Sequence, residues 1–300
     1  MRKRIKPIVV YVVLALLGLA LVIANIHNTS KQQAHLQNVK SAIPSATTPK
    51  TTTSSTSSSS DEELKLNPII DLSGWQLPQD IDYDVLSNHI SGAIIRVFGG
   101  SQISKDSNAA SSNGVDKSFK THIKELQKRD VPVAVYSYAQ GASVKEMKEE
   151  ARIFYKNASP YKPTYYWIDV EEETMPNMEE GVQAFLAELK RLGADKVGLY
   201  IGAYFMLEQE VSTRNFDAVW IPAYGTDSGY YETLPNTDID YDLHQYTSQG
   251  RLPGFDNILD LSQINPEKNK RKTFEKLFGK IKQKPTKNKK TTSTSSSSSQ

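Results

Sequence analysis

The sequence predicts an α/β fold, an irregular (β/α)8-type (TIM-like) barrel whose last third is poor in helix. Three observations predict it. Eight short runs rich in β-branched and aromatic residues recur between residues 64 and 266. Three of the intervals between them carry apolar residues at helical spacings of three and four. Later intervals, such as that from Tyr224 to Tyr241, are too short for a full helix. An open doubly wound sheet is the alternative. In both folds ligands bind beyond the carboxyl ends of the strands.

In chain order, Arg2, Lys3, Arg4 and Lys6 precede an uncharged apolar run from Pro7 to Ile26, near the roughly 20 residues needed to cross a bilayer. Basic residues before such a run keep that end cytoplasmic and send the rest outward. Residues 1–27 therefore read as a basic stub with a transmembrane signal anchor. A cleaved signal peptide, cut after Ala24, is the rival. The first reading implies a single-pass protein of the cell membrane with its body outside, the second a secreted one. Residues 28–63, with a Ser/Thr run at 51–60, cannot bury a core and read as a disordered, flexible linker.

The body, 64–266, follows. Strands are expected at 68–73, 92–98, 131–139, 165–171, 196–201, 218–224, 241–246 and 258–264, and helices at 119–129, 144–157 and 178–192. Gly193 is placed as a helix C-cap. Residues 267–300 form a basic, Lys/Ser/Thr-rich tail. In it Phe274, Leu277, Phe278 and Ile281 make an apolar stripe beside several lysines. That stripe reads either as a helix packed on the barrel or as a segment for an anionic membrane surface or wall polymer.

Charge and composition narrow the chemistry. Residues 61–266 carry 18 Lys and Arg against 32 Asp and Glu, a balance of −14, although the whole chain is +2. An acidic body argues against nucleic acid as its partner. With no cysteine, disulfides, thiolate metal sites and cysteine catalysis are excluded. The five histidines form no ligand pair at helical spacing, so neither a metal nor another cofactor is expected.

The most informative stretch is Tyr165-Tyr166-Trp167-Ile168-Asp169-Val170-Glu171. Alternation puts Asp169 and Glu171 on one face of a strand. Two such acids push their pKa values apart, so that one stays protonated while the other is ionised, as glycoside hydrolysis requires. A strand running out into a solvated acidic loop is the competing reading, since Glu172 and Glu173 follow. Asp71 and Asp260 lie on the first and last apolar strands, which are neighbours in a closed barrel. Trp75, Tyr136, Tyr138, Tyr200, Trp220, Tyr224 and Tyr246 gather at strand ends, where aromatic faces pack either on sugar C–H faces or in the barrel core.

These residues carry a resemblance. The body resembles glycoside hydrolase family 25, lysozymes that act as N-acetylmuramidases. The similarity lies in Asp71-Leu72-Ser73-Gly74-Trp75-Gln76, Pro132–Ala139 with Tyr136, Trp167-Ile168-Asp169-Val170-Glu171, Val219–Gly225, His244–Gly250 and Asp260-Leu261-Ser262 in order. His244 departs from the usual tryptophan and Ser137 from a common histidine. The resemblance implies peptidoglycan glycan strands as substrate, cleaved at the β-1,4 bond between N-acetylmuramic acid and N-acetylglucosamine. Glu171 is implied as general acid and then base, and Asp169 as orienting the substrate's 2-acetamido group. Asp71 and Asp260 would tune their charge, and Tyr136, Tyr138, Tyr200, Trp220, Tyr224, Gln245 and Trp75 would bind substrate. A non-catalytic wall-binding or scaffolding protein on the same barrel is the alternative, and a hydrolase for chitin or another N-acetylated polysaccharide a third reading.

Overall fold

The computed structural model describes residues 64–99 and 107–280. The apolar run from Pro7 to Ile26, the Ser/Thr linker, Ile281 and the end of the tail lie outside the described residues. Among those described, no helix is long and apolar enough to cross a membrane.

Eight strands close into a barrel in chain order: β1 (Ile69–Leu72), β2 (Gly92–Gly99), β3 (Val133–Tyr138), β4 (Tyr166–Val170), β5 (Val197–Ile201), β6 (Ala218–Pro222), β7 (Leu243–Gly250) and β8 (Leu259–Ile264). Each of the eight expected strands is present. The α-helices are α1 (Tyr83–Leu86), α2 (Phe119–Lys128), α3 (Val144–Ala158), α4 (Met178–Leu192), α5 (Ala203–Glu208) and α6 (Lys270–Phe278). Neither the β6–β7 nor the β7–β8 connection contains an α-helix, so the last third is helix-poor as expected.

The open-sheet alternative is excluded by closure, but the barrel is not regular. Strands β1 to β7 pair in parallel, whereas β8 runs antiparallel to both β7 and β1. A short β7–β8 connection allows only a hairpin, since a parallel return needs a crossover of a dozen or more residues. The reversal puts the beginning of β8, with Asp260, at the carboxyl end of the other strands.

The strands are buried on both faces because helices cover the outside. Ile70, Leu72, Ile95, Val97, Ile168 and Val170 point outward and join the helix faces of Ile123, Leu126, Met147, Phe154, Phe185 and Leu189. Ile69, Ile94, Ala134, Trp167, Tyr200, Trp220 and Leu243 fill the interior. Helix ends follow local chemistry. Ser143 caps α3 by accepting from the Glu146 amide at 3.2 Å, and Asn177 caps α4 by accepting from the Glu180 amide at 3.1 Å. Gly193 ends α4 at φ 106°, a left-handed cap that a side chain would strain.

The tail stripe belongs to the barrel. Phe274, Leu277 and Phe278 of α6 are buried against Ile69, Ile94 and the rest of the interior cluster, so they are not free to lie on a membrane. They close the barrel at the amino ends of the strands. Gly92, the first residue of β2, has no Cβ because one would stand 2.9 Å from the Phe278 ring.

Candidate active site

Inward alternation from every strand converges on a cavity of about 440 Å³ at the carboxyl ends of the parallel strands. The eleven residues that the sequence reading assigned to the site line it: Asp71, Trp75, Tyr136, Tyr138, Asp169, Glu171, Tyr200, Trp220, Tyr224, Gln245 and Asp260; Tyr246, grouped with these aromatics in the sequence, packs instead in the cluster outside the barrel. Pairing explains the proximities. Asp71 stands directly across from Asp260, Asp169 lies between Tyr138 and Tyr200, and Glu171 follows two residues later on the same face. Asp169 is buried and Glu171 exposed at the rim.

Gln245 is the hub of one wall. Its Oε1 accepts from the Tyr200 hydroxyl at 2.7 Å and the Tyr224 hydroxyl at 2.6 Å, and its Nε2 donates to Asp71 Oδ2 at 2.8 Å. Two phenol donors on the oxygen fix the amide orientation, so Asp71 always meets an N–H. Trp220 is 2% exposed and donates from Nε1 to Ser262 Oγ at 3.1 Å, with its ring edge-on to Trp167 and Tyr200. Its position is that of an interior residue reaching the cavity floor. Trp75, by contrast, is 58% exposed at the rim, and the Tyr138 hydroxyl donates to Glu172 Oε1 at 2.8 Å.

The acids stand in two pairs, Asp71 with Asp260 and Asp169 with Glu171. Burial, then the Asp260 charge, pushes Asp71 well above the usual carboxylate range, against the hydrogen bond from Gln245. Asp260 is pushed up to about 6, chiefly by burial. Burial and then the charges of Glu171 and Asp71 raise Asp169, while the Arg96 cation pulls it down. Glu171 is raised by burial of its carboxyl on the cavity side, its hydrogen bond with Asp169 opposing and Glu172 adding. Each pair therefore holds a proton in a range where an isolated carboxyl is ionised, and the proton belongs to the pair. One member can give a proton while the other carries charge. Among the described residues no group of three or more His, Cys, Asp or Glu is placed to hold a metal ion.

The cavity also contains Ser73, Gln76, Arg96, Gln140 and Glu172, which the sequence reading did not select as site residues. Arg96 carried the signal that identified Asp71: a charge on an otherwise apolar strand, here in Ile94-Ile95-Arg96-Val97-Phe98. Ser73 and Gln76 form a local turn, with the Ser73 amide donating to Gln76 Oε1 at 2.9 Å, which no pattern distinguishes from an ordinary loop.

The chain is similar to known proteins. The family model described as "Glycosyl hydrolases family 25" matches residues 70–255, well over half of the chain and ending just before Asp260. Among solved structures, the chain is similar to GHIP, a glycosyl hydrolase 25 of Streptococcus pneumoniae described as a virulence factor participating in host cell invasion. The two share 57% identity over 72% of this chain and 94% of that one, with a TM-score of 0.70. The catalytic domain of endolysin ply40, from bacteriophage P40 of Listeria monocytogenes, is similar at 27% identity over 72% and 98% of the two chains, TM-score 0.60. A bacterial lysozyme from Streptomyces coelicolor shares the fold at 16% identity over 73% and 100%, TM-score 0.54. No curated protein matches the chain. Because the family match runs from the strand of Asp71 past β7, and a relative at 57% identity is covered almost completely, this chain belongs to glycosyl hydrolase family 25 and is a glycoside hydrolase.

Proposed function

We propose that the protein is a peptidoglycan hydrolase of the muramidase type, cutting the β-1,4 bond between N-acetylmuramic acid and N-acetylglucosamine. The observation that carries this reading is the Asp169–Glu171 pair, two carboxyls two residues apart on one inward face at the cavity mouth. The lysozyme and endolysin among the similar structures support the same substrate.

Glu171, at the rim where a glycan enters, gives its proton to the glycosidic oxygen as the C–O bond breaks. Asp169, ionised, accepts a hydrogen bond from the acetamido N–H, so the acetamido oxygen attacks the anomeric carbon. Glu171, now a carboxylate, then takes a proton from water as that water opens the cyclic intermediate. Gln245 and the Asp71–Asp260 pair hold the opposite wall, and Trp75 offers an exposed ring to a sugar face.

The test uses the full-length protein, wild type and Glu171→Gln, on bacterial peptidoglycan, with fragments reduced by borohydride and weighed by mass spectrometry. Wild type is expected to give reduced N-acetylmuramic acid ends, and Glu171→Gln to be slower by about 10²-fold or more. Reduced N-acetylglucosamine ends would assign a different bond. Wall binding without any release would favour a scaffold over an enzyme.

We also infer that the protein works outside the cell, held in the membrane by the apolar run from Pro7 to Ile26. That run and the basic residues before it support the inference. Fractionation of producing cells is expected to find the intact chain in the membrane. Recovery from the medium with residues up to Ala24 removed would refute the anchor.

A further inference from the structure

One buried histidine has no place in this chemistry, yet it holds a segment of the mouth. The buried face of α2 carries Phe119, His122, Ile123 and Leu126, so His122 interrupts an otherwise apolar stripe. The residue is fully enclosed, and both ring nitrogens are used. Nδ1 lies 2.6 Å from the Tyr83 hydroxyl on α1, and Nε2 lies 3.2 Å from the Ser73 backbone oxygen. A carbonyl only accepts, so Nε2 carries the hydrogen. Burial pushes the ring below the usual imidazole range, which keeps it neutral with a single N–H. Nδ1 is therefore the acceptor, and the Tyr83 hydroxyl donates to it. Tyr83 is itself held by Arg129, whose guanidinium stands 5.7 Å from the centre of its ring.

Ser73, at the other end of that bond, opens the turn Ser73-Gly74-Trp75-Gln76, of which Ser73, Trp75 and Gln76 line the cavity. Within the turn the Gln76 amide donates to the Ser73 oxygen at 3.1 Å, and the Ser73 amide to Gln76 Oε1 at 2.9 Å. These bonds shape the turn without fixing where it stands. Trp75 cannot anchor it, because its side chain is exposed at the rim. Two bonds from α2 and the residues before it do so. The Gly74 amide donates to Asp116 Oδ2 at 2.6 Å, and His122 donates to the Ser73 oxygen. One such point would leave the turn free to pivot, whereas two on successive residues fix its pitch. The imidazole bridges this turn to α1 with a donor at one end and an acceptor at the other.

We propose that His122 is a positioning residue for glycan capture: by holding the Ser73 oxygen from behind, it presets the turn so that the Trp75 ring stands at the cavity rim before a sugar arrives. This rests on the reading of Trp75 as a face for a sugar and names what aims it. A ring already in place loses little conformational freedom on binding, so loosening the turn weakens capture. The effect is on binding and not on the bond-breaking step. His122 bonds to α1 and to the turn after β1, whereas Asp169 and Glu171 belong to β4 and its end. A sugar stacked on Trp75 is held alike in the ground and transition states, and losing such uniform binding raises KM without lowering kcat.

The experiment compares the full-length protein, wild type, His122→Leu, His122→Gln and Trp75→Ala, on soluble, uncrosslinked peptidoglycan chains. His122→Leu is expected to raise KM about fivefold, the effect of one lost hydrogen bond, with kcat within about twofold of wild type. His122→Gln can put an amide N–H near the place of Nε2 and should keep KM within about twofold of wild type. Trp75→Ala should raise KM at least as much as His122→Leu, and the double variant should show no further rise, because both act through one ring. Fluorescence reads binding apart from turnover, since Trp75 is exposed while Trp167 and Trp220, the other two tryptophans, are buried. Glycan should protect the wild-type emission from acrylamide quenching, and His122→Leu should need about fivefold more glycan for the same protection. An unchanged KM in folded His122→Leu overturns the proposal, as does a fall in kcat alone or full additivity with Trp75→Ala. If His122→Leu does not fold, the wild-type tautomer decides by 15N NMR: the hydrogen is expected on Nε2, and its presence on Nδ1 overturns the proposal. Full activity in Glu171→Gln would sink the muramidase mechanism instead, and leaves the quenching result standing.

Discussion

Asp260 sets catalysis against the stability of its own barrel. Burial holds its proton up to about pH 6, whereas an unfolded chain releases it near the ordinary carboxylate value. The folded state therefore binds the proton more tightly. The stability linked to that proton is fully present below the unfolded value and is lost as pH rises through the folded one. Above that window the barrel carries a buried charge beside Asp71. Asp260→Asn removes it and is expected to stabilise the protein at pH 7 by about 2 kcal/mol, with the advantage shrinking toward zero near pH 4. Urea denaturation at the two pH values checks this, and an equal difference at both would contradict it. At the same scale, the sequence made the acids on apolar strands stand out more readily than the cation. Asp71, Asp169 and Asp260 stand out because a glycosidase needs carboxyls. Arg96 carries the same mark as Asp71, a charge on an apolar strand, but a buried arginine in sequence reads equally well as half of a structural ion pair, which it forms with Asp116.

At the scale of elements, periodicity located the strands and the three long helices, since both rest on which face meets the core. Periodicity has no direction, however. The run at 258–264 looks the same whether it enters or leaves the mouth, and only the short β7–β8 connection makes β8 antiparallel. That reversal matters, because the second residue of an upward β8 would lie at the floor, far from Asp71. The stripe of Phe274, Leu277 and Phe278 was ambiguous for a related reason: helical spacing shows an apolar face without naming what covers it. Trp167 illustrates what only packing reveals. Gly198, beside it on β5, has no side chain because a Cβ would stand 2.3 Å from the indole ring. The ring stays edge-on to Trp220, below the residues that carry the chemistry.

The whole molecule divides its labour between the two ends of one barrel. The mouth concentrates buried acids, an unpaired guanidinium nitrogen and the exposed Trp75, all of which cost stability. The floor carries the opposite character. There α6 inserts Phe274, Leu277 and Phe278, with the two phenyl rings stacked at 5.2 Å, and Lys276 Nζ is tied to Asp242 Oδ1 at 2.9 Å. Such a division predicts that floor and mouth respond differently to substitution. Phe278→Ala removes a ring that is 3% exposed and lies against Gly92, leaving a cavity no neighbouring backbone can close. It is expected to cost about 3–5 kcal/mol in denaturant unfolding. The molecules that remain folded should keep wild-type kcat/KM, because the barrel separates α6 from the acids. A loss of kcat/KM per folded molecule of tenfold or more would show instead that the floor helix governs the mouth through the interior column of Trp167 and Trp220.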